Sequence, residues 1–166
     1  MKKIVLAISI ALMFAGTDAF AQGRYGADSA ECVKHLSYYR EYYKQKNYAD
    51  ALPNWMNAYK VCPPTATENL FINGSTLMNM QIQKTTGEER AEAVRTLLKL
   101  QDERAAYYPK NAAKALNNKA EYIVNYLQED PESSHRMLSE IIEANGSLCS
   151  PRVLEGEMHA ILSLFQ

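Results

Sequence analysis

Residues 42–64 read Tyr-Tyr-Lys-Gln-Lys-Asn-Tyr-Ala-Asp-Ala-Leu-Pro-Asn-Trp-Met-Asn-Ala-Tyr-Lys-Val-Cys-Pro-Pro, and this stretch decides the fold. Ala51, Leu52, Trp55, Ala58, Tyr59 and Cys62 recur at the spacing of one helix face. Pro63 and Pro64 stop that helix, since proline has no amide to donate and restricts the residue before it. Upstream, Leu36, Tyr39 and Tyr43 share a face, with Cys32 and Val33 near Leu36, so a first helix precedes the polar break at Lys46-Asn47. Two helices joined by so short a break must lie antiparallel.

The rest of the chain reads as helix too. Residues 67–83 carry Leu70, Gly74 and Leu77 at large-small-large spacing, and Thr85-Thr86-Gly87 breaks the run. Residues 88–108 form a long helix with an acidic start, which the helix dipole favours, and Pro109 ends it. Leu116, Ala120, Ile123 and Leu127 place another helix over 112–128. Asp130-Pro131 caps the next, which stops at Asn145-Gly146, and Ser150-Pro151 opens the last. The expected fold class is all-α, in antiparallel pairs over 28–63, 66–109 and 111–146, followed by a terminal helix over 151–166.

The first pair resembles the tetratricopeptide repeat. Tyr42 takes the aromatic position late in the first helix; Ala51 and Ala58 take the two small positions. Trp55 takes the large aromatic one, and Pro63 the terminating proline. Three positions depart from the pattern: His35 stands for the early tryptophan, Tyr39 for a small residue and Lys46 for the turn glycine. Pro53 is also unusual and is tolerated near the helix start. The chain as a whole looks like exported tetratricopeptide-like proteins of bacterial envelopes. That resemblance implies a right-handed solenoid of about three pairs plus the terminal helix, serving as a protein-interaction scaffold. In the family the concave face comes from first-helix residues, which transfers by position to Arg40, Tyr43 and Lys44 as contacts for a polypeptide partner. Arginine pairs with carboxylates and tyrosine gives contact area at little entropic cost.

The N-terminus reads as an export signal over residues 1–21. Lys2 and Lys3 precede an apolar run from Ile4 to Gly16, shorter than the roughly 20 residues of a membrane span. Ala19-Phe20-Ala21 follows, with small residues where signal peptidase cleaves, so the expected mature domain is 22–166. Setting aside Lys2, Lys3 and Asp18 leaves 16 basic and 18 acidic residues, a net charge of about −2. That balance argues against nucleic acid, which needs a basic footprint. The expected location is the periplasm or the outer membrane's periphery, with no membrane span after signal removal.

Export permits disulfides, and three cysteines leave one thiol over. Antiparallel packing brings Cys32, early in the first helix, close to Cys62, at the end of the second. The two are expected to form a disulfide, the alternative being a pair of buried free thiols. Cys149 falls in a loop. His35, His135 and His159 have no partner at metal-ligand spacing, so no metal or cofactor is expected. No nucleophile elbow, phosphate-cradling loop or His-Glu-x-x-His pair occurs, so the chain is read as non-catalytic.

Two further features suggest other roles. Tyr38, Tyr39, Tyr42, Tyr43 and Tyr48 outnumber what one stripe can bury, and aromatic faces can stack on sugars, so glycan binding is one alternative. Val153, Leu154, Ile161, Leu162 and Phe165 give the last helix an apolar stripe, which suggests self-association or embedding in a larger complex. The triplets Asn73-Gly-Ser75, Asn145-Gly-Ser147 and Asp28-Ser29-Ala30 match short glycosylation patterns of low specificity.

Overall fold

The computed structural model describes residues 23–165, and the expected signal peptide lies outside the described residues. Those residues hold seven α-helices and no strand. They are α1 Ser29–Lys44, α2 Tyr48–Val61, α3 Asn69–Lys84, α4 Gly87–Tyr107, α5 Ala112–Tyr126, α6 Pro131–Asn145 and α7 Pro151–Ser163. Neighbours in sequence are neighbours in space. α1 packs on α2, α3 on α4, α4 also on α5, and α6 on α7. α5 touches both α6 and α7.

The turn between α1 and α2 shows why the pair folds where it does. The Asn47 amide donates to the Tyr42 carbonyl (2.9 Å) and the Lys46 amide to Tyr43 (3.0 Å). That is a Schellman closure, which requires a left-handed residue just past the helix end. Lys46 supplies it, with φ of 58°. Asn47 then caps α2, its side-chain oxygen accepting from the Asp50 amide while its NH2 group donates to the Asp50 carboxylate at 2.7 Å. A lysine at positive φ is strained where a glycine would not be. Lys46→Gly should therefore be neutral to stabilising, by up to about 1 kcal/mol. A lowered midpoint in a thermal melt would show that the lysine side chain itself holds the turn.

The largest core lies where α1, α2, α3 and α4 meet. Leu36, Tyr39, Trp55, Phe71, Leu77 and Leu97 are among its fully buried members. A smaller cluster of Ala120, Ile123, Leu138, Ile141 and Val153 joins α5, α6 and α7. Pro53 does not break α2, and it sits on an exposed position. Asp130 caps α6 through the Ser133 amide at 3.0 Å. That bond holds its carboxyl below the ordinary range.

Several buried polar groups are paired across elements. Arg104, almost fully buried, donates from Nε to Glu68 at 2.9 Å. Asn111 donates to both oxygens of the same carboxylate, each at 2.9 Å. Tyr108 donates to the Pro64 carbonyl at 3.2 Å. These bonds tie the entry of α3 to the junction of α4 and α5, and they satisfy a cation that burial would otherwise make costly. Gln101 donates to Ser75 (2.6 Å), whose hydroxyl passes on to the Phe71 carbonyl (2.8 Å).

Cys32 and Cys62 form a disulfide, with Cα atoms 4.9 Å apart. It joins the start of α1 to the end of α2. Cys149 is a free, half-buried thiol. No helix among the described residues is long and apolar enough to cross a membrane.

Candidate functional site

α2 and α4 stand as two walls, with α3 between them as a floor, and the space above is a groove. Its larger part is a cleft of about 710 Å³. Leu52, Trp55 and Met56 come from α2, Met78 from α3, and Ala93 and Thr96 from α4. Met56 is more than half exposed, an apolar side chain held open to solvent on the wall. Volumes of this order are typical of ligand clefts, and methionine walls adapt to varied apolar partners.

Glu88, Glu89 and Glu92, from the first turns of α4, form the rim of this cleft. Arg95 holds two of them, with Nη2 2.5 Å from Glu88 and 2.7 Å from Glu92. These hydrogen bonds raise the guanidinium pKa still further. Glu89 accepts from Gln81 at 2.8 Å. Three carboxylates against one guanidinium leave the rim acidic.

Farther along, the groove continues as a second cleft of about 470 Å³, lined by Leu70, Phe71 and Tyr107 among others. A bridge separates the two parts. The Tyr59 hydroxyl donates to Glu103 at 2.5 Å, joining α2 to α4. Lys99 lies 5.7 Å from the Tyr59 ring centre and 3.5 Å from Glu103. Burial, the hydrogen bond to Glu103 and that carboxylate's charge all push the Tyr59 hydroxyl far above its ordinary pKa. It therefore stays a neutral donor.

Arg40, Tyr43 and Lys44, the contacts expected by family analogy, lie on α1 and line neither cleft. Arg40 is half-buried, its guanidinium 5.9 Å from the Tyr39 ring centre. Tyr43 meets Tyr48 edge to face at 5.4 Å and packs against the main core. Lys44 is exposed in the last turn of α1. Of the clustered tyrosines, Tyr38 is exposed, Tyr39 is buried, and Tyr42, Tyr43 and Tyr48 pack partly against the core. Burial thus divides the cluster, with Tyr39 alone fully inside.

The groove itself was not read from the sequence. Its residues come from three helices, and only packing brings them together. Met56 falls off the stripe of Trp55 and Ala58, which was a usable signal. The acidic start of α4 suits the helix dipole, and the same carboxylates form the rim.

On the far side of the molecule, His135 and Ser139 of α6 meet Glu157 of α7. Glu157 Oε1 lies 2.7 Å from His135 Nδ1 and accepts from Ser139 at 2.6 Å. The Ser139 hydroxyl also lies 3.4 Å from His135 Nδ1. The cluster links α6 to α7. Compared with protein-family models, curated proteins and solved structures, the chain matches none.

Proposed function

We propose that this chain is an exported, non-catalytic scaffold of the bacterial envelope, in the periplasm or at the outer membrane. Its helix pairs stack as a tetratricopeptide-like right-handed solenoid and bind a polypeptide. The binding surface is the groove between α2 and α4, in place of the α1 face that family analogy suggests. One observation carries this reading: an apolar cleft of about 710 Å³ under a rim of three glutamates. Such a surface favours an amphipathic segment with apolar anchors and flanking Lys or Arg. The absence of a membrane-length helix among the described residues and the Cys32–Cys62 disulfide are compatible with an oxidising compartment.

The test is titration calorimetry with amphipathic peptides that share apolar anchors but carry either Lys or Glu flanks. The Lys-flanked peptide should bind and the Glu-flanked one should fail. Met56→Arg and Glu89→Lys should each weaken binding about tenfold, a change of about 1.4 kcal/mol. Both side chains are exposed, so the fold should survive. If binding survives both changes and is lost on Arg40→Glu/Tyr43→Ala/Lys44→Glu, the site is on α1. If neither peptide binds, the polypeptide-scaffold reading fails.

A further inference from the structure

α7 is apolar on two faces. Val153, Gly156 and Ala160 are buried against α5 and α6. Turned roughly 140° from them, at 3.6 residues per turn, Leu154, Met158, Ile161 and Leu162 face outward, and Phe165, two residues past the end of α7, is the most exposed of the group. With Leu164 these residues keep between 37% and 84% of their surface exposed. A surface helix ordinarily has one apolar stripe, turned to the core. Here the second face has no cover from the described residues.

We infer that this face is covered by α7 of a second copy of the chain, packed antiparallel about a two-fold axis. The spacing supplies the first argument. Leu154, Met158, Ile161 and Phe165 are separated by four, three and four residues, the pattern of a coiled-coil seam. That pattern is palindromic. With the axis between His159 and Ala160, Leu154 meets Phe165 of the second copy and Met158 meets Ile161. One patch thus complements itself, as a two-fold interface requires.

Area supplies the second. At roughly 200 Å² for a large apolar residue, the exposed fractions of the five outward residues amount to on the order of 580 Å² per copy. Two copies would bury about 1,150 Å², at the lower edge of the range of stable specific interfaces. Charge argues against a membrane as the occupant. α7 carries Glu155 and Glu157 against Arg152 alone, whereas helices that lie on anionic lipid carry a lysine- or arginine-rich polar face.

The test uses the full chain recovered from an exporting host, in sedimentation equilibrium over a range of concentrations. The expected result is a dimer at micromolar protein, with association weakened about 100-fold or more by Met158→Glu/Ile161→Glu. Both replaced side chains are exposed, and the circular dichroism of the variant should match wild type. A second measurement fixes the geometry. In a Cys149→Ser background, L154C/F165C should crosslink into dimers on mild oxidation, and L154C alone should not. A monomer at every concentration, growth beyond two copies, crosslinking by L154C alone, or capture of the monomer by anionic vesicles would each overturn the inference.

Discussion

Trp55→Ala should lower the unfolding free energy by about 3–5 kcal/mol, the range for deleting a buried indole. Trp55 is 1% exposed and stacks on Tyr59, with ring centres 5.2 Å apart and planes inclined by 10°. Its indole N–H donates to the Leu70 carbonyl at 2.7 Å. Alanine loses the transfer energy of the ring and leaves a cavity where α1 to α4 meet, which these helices cannot close without moving. The opposite wall of that site is Gly74, where any Cβ would run into the Trp55 ring. The glycine serves the tryptophan.

That pairing makes the prediction sharper than a single loss. Gly74→Ala should cost about 1–3 kcal/mol by overpacking, although alanine is the better helix former. In the Trp55→Ala background the same substitution should cost little or turn favourable, because the space it needs is then empty. Trp55→Phe should cost a fraction of Trp55→Ala, since most of the apolar area stays. Urea unfolding followed by far-ultraviolet circular dichroism measures all four chains. Equal costs for Gly74→Ala with and without the tryptophan would refute direct contact as the reason for glycine there.

The helices and their adjacent pairing were legible in the sequence because each stop carries its own chemistry. Pro63-Pro64, Pro109, Asp130-Pro131 and Gly146 lie at the observed boundaries to within a few residues. The buried stripe Ala51, Trp55, Ala58 was equally plain. Lys46 departs from the turn glycine of the resemblance, yet its positive φ is the geometry that a glycine would supply. Gln101 and Arg104 carry no such local signal. They continue the spacing of Leu97 and Leu100 into the core, but their polarity suggests solvent. Their partners there, Glu68 and Ser75, lie far away in sequence. The groove follows the same rule. A stripe is a local property, but a cleft between α2 and α4 depends on how far apart two helices are held. Nothing in either helix alone states that distance.

The Cys32–Cys62 disulfide gives the other large effect. Its loop spans 30 residues, so cross-linking should contribute about 3–4 kcal/mol by restricting the unfolded chain. Its position makes the contribution local as well. The Schellman turn already closes the α1–α2 hairpin at one end, and the disulfide closes it at the other. Without it the free ends of α1 and α2 are held by packing alone, around Leu36 and Ala58. Cys32→Ala/Cys62→Ala avoids burying new hydroxyls at two sites with little or no exposure. This variant should lose about 3–4 kcal/mol. Its denaturant slope should rise, because an uncrosslinked unfolded chain exposes more surface. Hydrogen exchange should quicken first in α1 and the second half of α2, and last in the α5–α7 cluster. Reductant added to the wild-type chain should reproduce these changes, and it should leave the double variant unmoved. If the double variant unfolds at the wild-type midpoint, the bond adds nothing to stability. Packing would then hold the hairpin by itself, and the chain would fold equally well in a reducing compartment.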